Sequence, residues 1–449
     1  MRGPSLANPL ATWCWSEPLE ARGNTWSRRS FSSREQQHVA ARKAPIVVAL
    51  FLGLSAHACS PVPDLLKQGD RLAQQGKYAE ALAAYAEADR HEKETVRGLI
   101  RAGNLQLKLG RLDLAQMAFE KALEKKPASA EAYVGLARVF AARKMFDAAN
   151  KALDKAIELR PEWAEPYFRK AALLHNQGRV QQALALYKKT IKLNPGHARA
   201  HLAIGDIVFQ SGDLESALKV YKAALKKNPR DPEVLVRIGQ VLLKANQPAS
   251  ARGVLEQACT LKRDHALAHY YLGEAYLKLK KSDRAVRHFQ QAIRYRPKLG
   301  IAYVRLGQIY EANLLVNRAY DNYGRAISAD KNCMEGYLNL ARLQIRKRQY
   351  KRAARTLDRS LKIEPDCASC SVMLGKLYNT LRRWRRAIRV LEPVVMKFYQ
   401  NYEAHYELGI AYAGLGMVGK ATEQYNVLAM ANQAELAEKL LRVIRAKAR

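Results

Sequence analysis

The feature that most constrains this chain is a period of 34 residues. Alanine recurs at this step without a break from Ala81 to Ala421, and a position held by glycine or alanine recurs from Gly69 to Gly409. A fixed period of this size indicates stacked structural units, each of which buries its apolar face against its neighbours. The sequence therefore predicts about eleven units between Val62 and Glu435 instead of one conventional core.

The pattern within a unit predicts two helices. In residues 198–231, apolar residues fall at helical spacing in two blocks, which the turn-forming residues 210–213 separate. Pro229 marks the end of the second block. Gly205 and Ala217 are small, which predicts that the two helices cross closely there.

This pattern resembles the tetratricopeptide-repeat family, whose period is also 34 residues. The resemblance covers residues 62–435 and implies an all-α fold, an α-solenoid of helix-turn-helix repeats in a right-handed superhelix with a concave groove. Asn246 and Lys280 depart from it by replacing the turn glycine. Residues 436–449 continue an amphipathic pattern and predict a C-terminal capping helix.

The N-terminal 58 residues read as an extension and a signal peptide, and residues 59–61 as a short linker. Arg42 and Lys43 precede a 13-residue apolar run, residues 44–56, which is shorter than the roughly 20 residues of a spanning helix. Cleavage after Ala58 would release a soluble periplasmic protein. The alternative, lipidation of Cys59 in a sequence similar to a bacterial lipobox, would anchor the chain in the cell envelope facing the periplasm, and this is the favoured prediction.

Residues 1–38 fit poorly before a signal peptide. They are rich in arginine and serine, so a start codon near Val39 and a mitochondrial presequence both stay open.

No catalytic motif is present. The sequence lacks a glycine-rich phosphate loop, a metalloprotease motif and a nucleophile elbow, which predicts a non-enzymatic protein without a cofactor. The pairs His197/His201 and His265/His269 have the spacing of a weak metal site, but packing is the favoured interpretation. Cys367 and Cys370 predict a local disulfide in an exported chain, with free thiols as the alternative.

The resemblance implies that the fifth residue of each unit faces the groove. All eleven residues at this position are apolar, whereas chaperone-binding members of the family carry lysine there, so a chaperone-tail adaptor is disfavoured. An apolar floor with polar sides suits an extended peptide or a partner helix. The alternative is that part of this row of apolar residues is inter-helix core. The predicted groove residues are Ile100, Val134, Phe168, Leu202, Val236, Tyr270, Val304, Leu338, Val372, Arg342, Arg346 and Lys376.

Basic residues align from unit to unit. The chain carries 76 Lys and Arg against 41 Asp and Glu, a formal charge of +35, which favours acidic partners. Trp384 shares its slot with Tyr78 and Phe146 and is predicted to be core, while the arginines around it are predicted to form an outer ridge. An acidic partner and a merely solvated face both remain open. The predicted ridge is Arg284, Arg318, Arg348, Arg352, Arg355, Arg382, Arg385, Arg386 and Arg389.

Together these features predict a non-catalytic protein-interaction scaffold, exported and membrane-anchored, that docks a peptide or partner protein in its groove. Related bacterial lipoproteins assist outer-membrane, pilus or polysaccharide-export assembly, and the resemblance implies a similar role. A cytoplasmic regulatory or nucleic-acid-binding protein and a mitochondrial adaptor are the alternatives. Nucleic acid is disfavoured because export would separate it from the chain and because the aromatic residues occupy core slots.

Overall fold

A computed structural model describes residues 62–91 and 96–448. Within these residues there are 23 helices and no strand. The described residues up to Ile207 and those from Val208 onwards form two compact units, called unit 1 and unit 2 here. The predicted extension 1–58, the linker 59–61 and Cys59 lie outside the described residues.

Unit 1 consists of helix pairs. The bounds of its helices are α1 Val62–Gln74, α2 Tyr78–His91, α3 Arg97–Lys108, α4 Leu112–Lys125, α5 Ala130–Ala142, α6 Phe146–Leu159, α7 Ala164–Asn176, α8 Val180–Leu193 and α9 Ala198–Gln210, whose last residues belong to unit 2.

Unit 2 continues the alternation. Its helices are α10 Leu214–Lys227, α11 Pro232–Lys244, α12 Pro248–Leu261, α13 Ala266–Lys278, α14 Ser282–Tyr295, α15 Gly300–Ala312, α16 Val316–Ala329, α17 Met334–Arg346, α18 Tyr350–Ile363, α19 Ala368–Thr380, α20 Trp384–Lys397, α21 Tyr402–Gly414, α22 Val418–Met430 and α23 Ala434–Ala448.

Odd-numbered helices up to α21 are called first helices and even-numbered helices second helices. From α1 to α8 and from α11 to α22, each first helix packs against the second helix that follows it. From α2 to α7 and from α10 to α21, each second helix packs against the next first helix. Within unit 2, first helices also touch one another directly, as α15 touches α17 and α19 touches α21. The first helices therefore form a layer of their own. The prediction of an all-helical repeat fold is confirmed.

Small residues make this packing possible. The alanines that recur from Ala81 to Ala421 are all fully buried. Gly307 shows why the first helix also needs a small residue, because a Cβ atom there would lie 2.4 Å from the ring of Tyr323 on the following helix. Such a distance is shorter than two carbon atoms tolerate, so the glycine makes room for a fully buried ring.

Helix α23 packs against α21 and α22. It buries Ala437, Leu440 and Ile444, spaced three and four residues apart on one side of the helix. Apart from Ala434 and Ala446, the exposed side chains of α23 are charged. Across residues 62–91 and 96–448, no helix has both the length and the apolar character needed to span a bilayer.

Candidate functional site: the first-helix face and its terminal cleft

The exposed side of a first helix is narrower than the sequence suggests. In α19 the exposed side chains are Ser369, Lys376 and Thr380, and Met373 between them is half-buried. These positions are separated by three or four residues, which places them on one stripe of a helix with 3.6 residues per turn. We call the corresponding stripe of the first helices of either unit the first-helix face.

Most of the apolar side chains predicted for the groove lie beside this stripe, in the core. Six of the nine are at most 7% exposed, and Ile100, Leu202 and Leu338 are half-buried. In α19 the fifth position, Val372, precedes Met373 of the stripe by one residue, which turns it about 100° towards a neighbouring helix. A partner cannot reach the six buried side chains, so the floor predicted there is corrected to inter-helix core; they are Val134, Phe168, Val236, Tyr270, Val304 and Val372.

The cations predicted for the groove are exposed but engaged. Arg346 pairs with Glu311, and Arg342 Nη1 donates to Asn339 Oδ1 over 2.9 Å. Lys376 Nζ lies 3.8 Å from Glu403 Oε1. These three cations are thus not a free basic patch for an acidic ligand.

Ion pairs also join neighbouring repeats along the first-helix face. Arg305 Nε lies 2.7 Å from Glu274 Oε1 of the preceding first helix, and its Nη1 lies 2.5 Å from Glu335 Oε1 of the following one. Burial opposes the charge of Arg305, but these carboxylates outweigh it and raise the pKa of the guanidinium. In unit 1, Arg101 pairs with Asp70 in the same way. Sequence analysis did not predict this network. The sequence does contain a signal for it, namely Glu or Asp on the repeat next to that of an Arg.

A concavity of unit 2 lies at the C-terminal end of the first-helix face. It has a volume of about 700 Å³ and is open to solvent. Helices α19, α21 and α23 supply its walls, so its shape depends on the C-terminal helix. We call it the terminal cleft, and it is lined by Lys376, Asn379, Thr380, Glu403, Tyr406, Glu407, Ile410, Leu436 and Lys439.

Two buried polar side chains meet in the terminal cleft. Asn379 Nδ2 donates to the Glu407 carboxylate and to the Glu407 backbone oxygen, each over 2.8 Å, which fixes the orientation of the amide. Asn379 Oδ1 is buried and has no hydrogen-bond partner among the described residues. An unpaired buried acceptor costs about 1–3 kcal/mol.

Glu407 itself is only 3% exposed. Burial raises the pKa of its carboxyl and Glu403 adds to the effect, while the hydrogen bond from Asn379 and the charge of Lys376 oppose it. Lys376 Nζ lies 3.9 Å from Glu407 Oε1, so the pair is loosely held. Among the cleft residues, the sequence had predicted Lys376 for the groove, and Tyr406 through its fifth position in the last repeat. Asn379 and Glu407 were missed, because a lone glutamate and asparagine carry no recognisable motif.

The histidines of both pairs have structural hydrogen bonds. His265 Nδ1 accepts from the backbone nitrogen of Ala268 at 3.1 Å and thereby caps α13, while its Nε2 donates to Glu233 Oε1 over 2.9 Å. His269 Nε2 donates to the Arg263 carbonyl at 3.0 Å. His197 and His201 repeat these roles in unit 1. Throughout residues 62–91 and 96–448, no group of three histidine, cysteine or acidic side chains is placed to hold a metal ion.

Cys367 and Cys370 lie at the start of α19, joined by a disulfide with their Cα atoms 5.3 Å apart. Cys370 is fully buried and Cys367 is 9% exposed, so both belong to the core around α19. The redox state in the cell stays a prediction, which counting of free thiols with and without reductant would test.

All nine arginines of the predicted ridge are exposed, and within the described part of the chain none pairs with an acid. Some nonetheless have structural contacts. The guanidinium of Arg284 lies 5.7 Å from the ring of Tyr276, and that of Arg318 lies 5.8 Å from the ring of Tyr310. Trp384, which was predicted to belong to the core, is half-buried, and its ring lies against Gly414.

Comparison with known proteins supports the repeat assignment. Three sequence profiles described as tetratricopeptide repeat match the chain, the first at residues 168–232, 236–298 and 372–435, the second at 106–173 and 208–258, and the third at 337–371. Together they cover more than half of the chain. No curated protein sequence matches it.

Several solved structures are similar. PilF of Pseudomonas aeruginosa is 22% identical, covering 45% of this chain and 92% of PilF with a TM-score of 0.40. A MamA structure is 25% identical, covering 38% of this chain and 92% of its own, with a TM-score of 0.31. YrrB, described as a protein with an unusual peptide-binding site, is 24% identical over 41% of this chain and 95% of its own, with a TM-score of 0.31.

Similarities of this degree do not identify a partner. The profile matches and the regular helix pairs do identify the family. Nothing in the comparisons indicates an enzyme, and the fold generally serves as a non-catalytic scaffold for protein interactions. The chain belongs to the tetratricopeptide-repeat family.

Proposed function

We propose that this protein docks an extended segment of a partner protein along the first-helix face of unit 2, with the terminal cleft as the anchoring point. The observation that carries the proposal is the cleft itself, where an unpaired buried acceptor on Asn379 lies beside a buried carboxylate on Glu407. Extended peptides bind through backbone donors and acceptors, and apolar walls select their side chains. Tyr406, Ile410 and Leu436 provide such walls.

The charges around the cleft limit the choice of partner. Two lysines and two glutamates line it, so the cleft carries no excess of one sign. Lys439 is already paired with Glu435, with Nζ 2.6 Å from Oε1, whereas Glu407 is held only loosely by Lys376. The segment that binds here therefore carries a hydrogen-bond donor, from its backbone or from a basic side chain, opposite Asn379 and Glu407.

A site-specific crosslink tests the docking site. A photoreactive residue at Thr380, inside the cleft, is expected to trap a discrete partner, and Tyr406→Ala is expected to abolish the adduct. Tyr425→Ala is the matched control, because Tyr425 is also a half-buried tyrosine but is not part of the cleft lining. An adduct that survives Tyr406→Ala, or that both variants abolish equally, would contradict the proposal.

We further propose that the chain is exported and carries a lipid on Cys59, which lies outside the described residues. The short apolar run and the cysteine at residues 44–59 support this proposal. By analogy with related lipoproteins, the assembled machinery would belong to the envelope, a pilus or polysaccharide export. Palmitate labelling of the wild type but not of Cys59→Ala is expected, and an unlabelled wild type in the cytoplasm or in mitochondria would favour the alternatives.

A further inference from the structure

The turns between first and second helices form one edge of unit 2. Four successive turns carry Lys280–Lys281, Leu314–Leu315, Arg348 and Arg382–Arg383, and the first residues of these turns are spaced by 34. Because the helix pairs alternate in direction and stack in order, these turns lie side by side at the same edge. We call these seven residues the turn edge.

The backbone of the turn edge is in a conformation that its side chains disfavour. The φ angles are 59° at Lys280, 61° at Leu314, 56° at Arg348 and 54° at Arg382. Glycine occupies the corresponding position in other turns of unit 2, as at Gly212 with φ 91°. Positive φ is uncommon for any residue other than glycine and is strained for a bulky one. Strain of this kind is a reason to look for a function of the side chain.

Local electrostatics disfavour the same region. Four helices begin at this edge; α14 has Asp283 in its first turn, whereas α16, α18 and α20 have no acidic residue there. Instead the first turns contain Arg318, Arg352 and Arg385, although the positive end of the helix dipole repels cations. No cation of the turn edge has an acidic partner among residues 62–91 and 96–448.

An exposed apolar residue lies in the middle of this basic edge. Leu314 is 84% exposed and Leu315 is 42% exposed. They lie between Lys280–Lys281 on one side and Arg348 on the other. A leucine that protrudes from a row of cations is suited to a surface that is anionic outside and apolar immediately beneath, which describes a bilayer with anionic headgroups.

Other acidic partners fit less well. A single-stranded nucleic acid would need aromatic platforms between the cations, whereas the aromatic residues that begin α18 and α20, Tyr350 and Trp384, are half-buried and pack inwards, Tyr350 on the core cluster and Trp384 on Gly414. A folded acidic protein would match a concave patch, whereas these residues are loop tips along an edge. The row of tips, with a leucine near its centre, matches a flat surface.

We propose that the turn edge binds the surface of an anionic phospholipid bilayer, with the arginines and lysines contacting phosphates and Leu314 entering the apolar boundary. The contact does not depend on docking in the terminal cleft. It would hold unit 2 with its turns towards the membrane and leave the first-helix face accessible to a partner.

Vesicle cosedimentation of the full chain tests this inference. The background variant is Cys59→Ala, so that no lipid anchor contributes to binding. Vesicles that contain phosphatidylglycerol in phosphatidylcholine are compared with vesicles of phosphatidylcholine alone. Binding is expected only to the anionic vesicles and is expected to weaken as salt is raised. Equal binding to both vesicles, or none to either, would overturn the proposal.

Charge removal at the edge is the first comparison. Arg348→Gly with Arg382→Gly is expected to weaken partitioning about 30-fold, at about 5-fold for each cation near the surface. Both changes also relieve strained turns, so a loss of binding does not reflect unfolding. Lys226→Gln with Lys227→Gln removes the same charge from the opposite end of a second helix and is expected to change binding by less than about 2-fold. Equal losses of vesicle binding in the two double variants would show that only the net charge of the protein matters, which would overturn the proposal.

Removal of the leucine is the second comparison. Leu314→Gly is expected to weaken binding to anionic vesicles about 10-fold, because the buried apolar surface is lost while the turn itself is relaxed. Met396→Ala is the control, since Met396 is 81% exposed but lies near the far end of α20. Wild-type binding by Leu314→Gly, or stronger binding of the wild type to duplex DNA than to anionic vesicles, would overturn the proposal.

Discussion

The cations of the first-helix face and those of the turn edge of unit 2 differ in whether acidic residues lie beside them. On the first-helix face, Arg305 lies between Glu274 and Glu335, and Lys376 lies near two glutamates. At the turn edge, Arg348 and Arg382 have no acidic partner among the described residues and occupy strained turns. The contrast separates cations that hold the stack together from cations that are available to a partner.

Removing Arg305 should give the largest effect. Arg305→Ala leaves two partly buried carboxylates facing each other and is expected to lower the free energy of unfolding by about 3 kcal/mol. Arg352→Ala, in the first turn of α18, is the matched control and should change it by less than about 0.5 kcal/mol. Urea unfolding of both variants measures the difference. Equal values would break the distinction between the two regions.

Acid should weaken the corresponding face of unit 1. Burial favours the neutral form of Glu165, but the hydrogen bond from His197 and the charge of Arg169 outweigh it and lower the pKa to about 2. The carboxylate therefore stabilises the fold above its unfolded pKa, and this contribution of about 3 kcal/mol is lost as pH falls from about 4.5 to about 2.

Glu165→Gln is accordingly expected to destabilise the protein at pH 7 and to make little difference near pH 2. Denaturant titrations of the wild type and the variant at several pH values measure this convergence. A difference that stays constant down to pH 2 would show that the carboxylate is not held by its charge.

The turn edge should respond in the opposite direction. Arg348→Gly and Arg382→Gly should each raise the free energy of unfolding by about 1 kcal/mol, because glycine adopts positive φ without steric strain. Gly212→Ala, at the equivalent turn, is the reverse control and should lower it by a similar amount. Thermal unfolding measures all three, and a loss of stability in the arginine variants would show that these side chains support the fold.

The smallest expected effect on stability distinguishes a ridge arginine that contacts a tyrosine ring from one that does not. Arg318→Ala removes a guanidinium 5.8 Å from the ring of Tyr310, and a loss of about 0.5 kcal/mol is expected for this partly exposed contact. Arg352 occupies the same slot, but Gln344 replaces the tyrosine, so Arg352→Ala should change stability less. A double-mutant cycle between Arg318 and Tyr310 measures the coupling energy of the contact directly. A coupling energy near zero would show that the contact does not stabilise the fold.

Periodicity made the fold predictable. The recurring alanines specify where helices must approach, and all of those from Ala81 to Ala421 are fully buried. The groove was less predictable, because the burial of Val236 and Val304 depends on how the neighbouring helices pack against α11 and α15. A stripe of apolar residues cannot by itself tell a groove floor from an inter-helix contact, and burial resolved this in favour of core.

The terminal cleft was not predictable from local sequence. Asn379 and Glu407 belong to different repeats and meet only because α19 and α21 pack together. The turn edge was predictable in part. Asn246 and Lys280 were recognised as substitutes for the turn glycine, but the strain at Leu314 and its exposure emerged only with the structure.

The sequence by itself determined the repeat, the helix pairs and the excess of basic residues, because a 34-residue period and helical spacing are local properties of the chain. The tertiary structure decided which cations are neutralised, which apolar residues a partner can reach and where a cleft opens. Those outcomes depend on residues about one repeat apart, whose distances are set by the packing of one helix pair on the next.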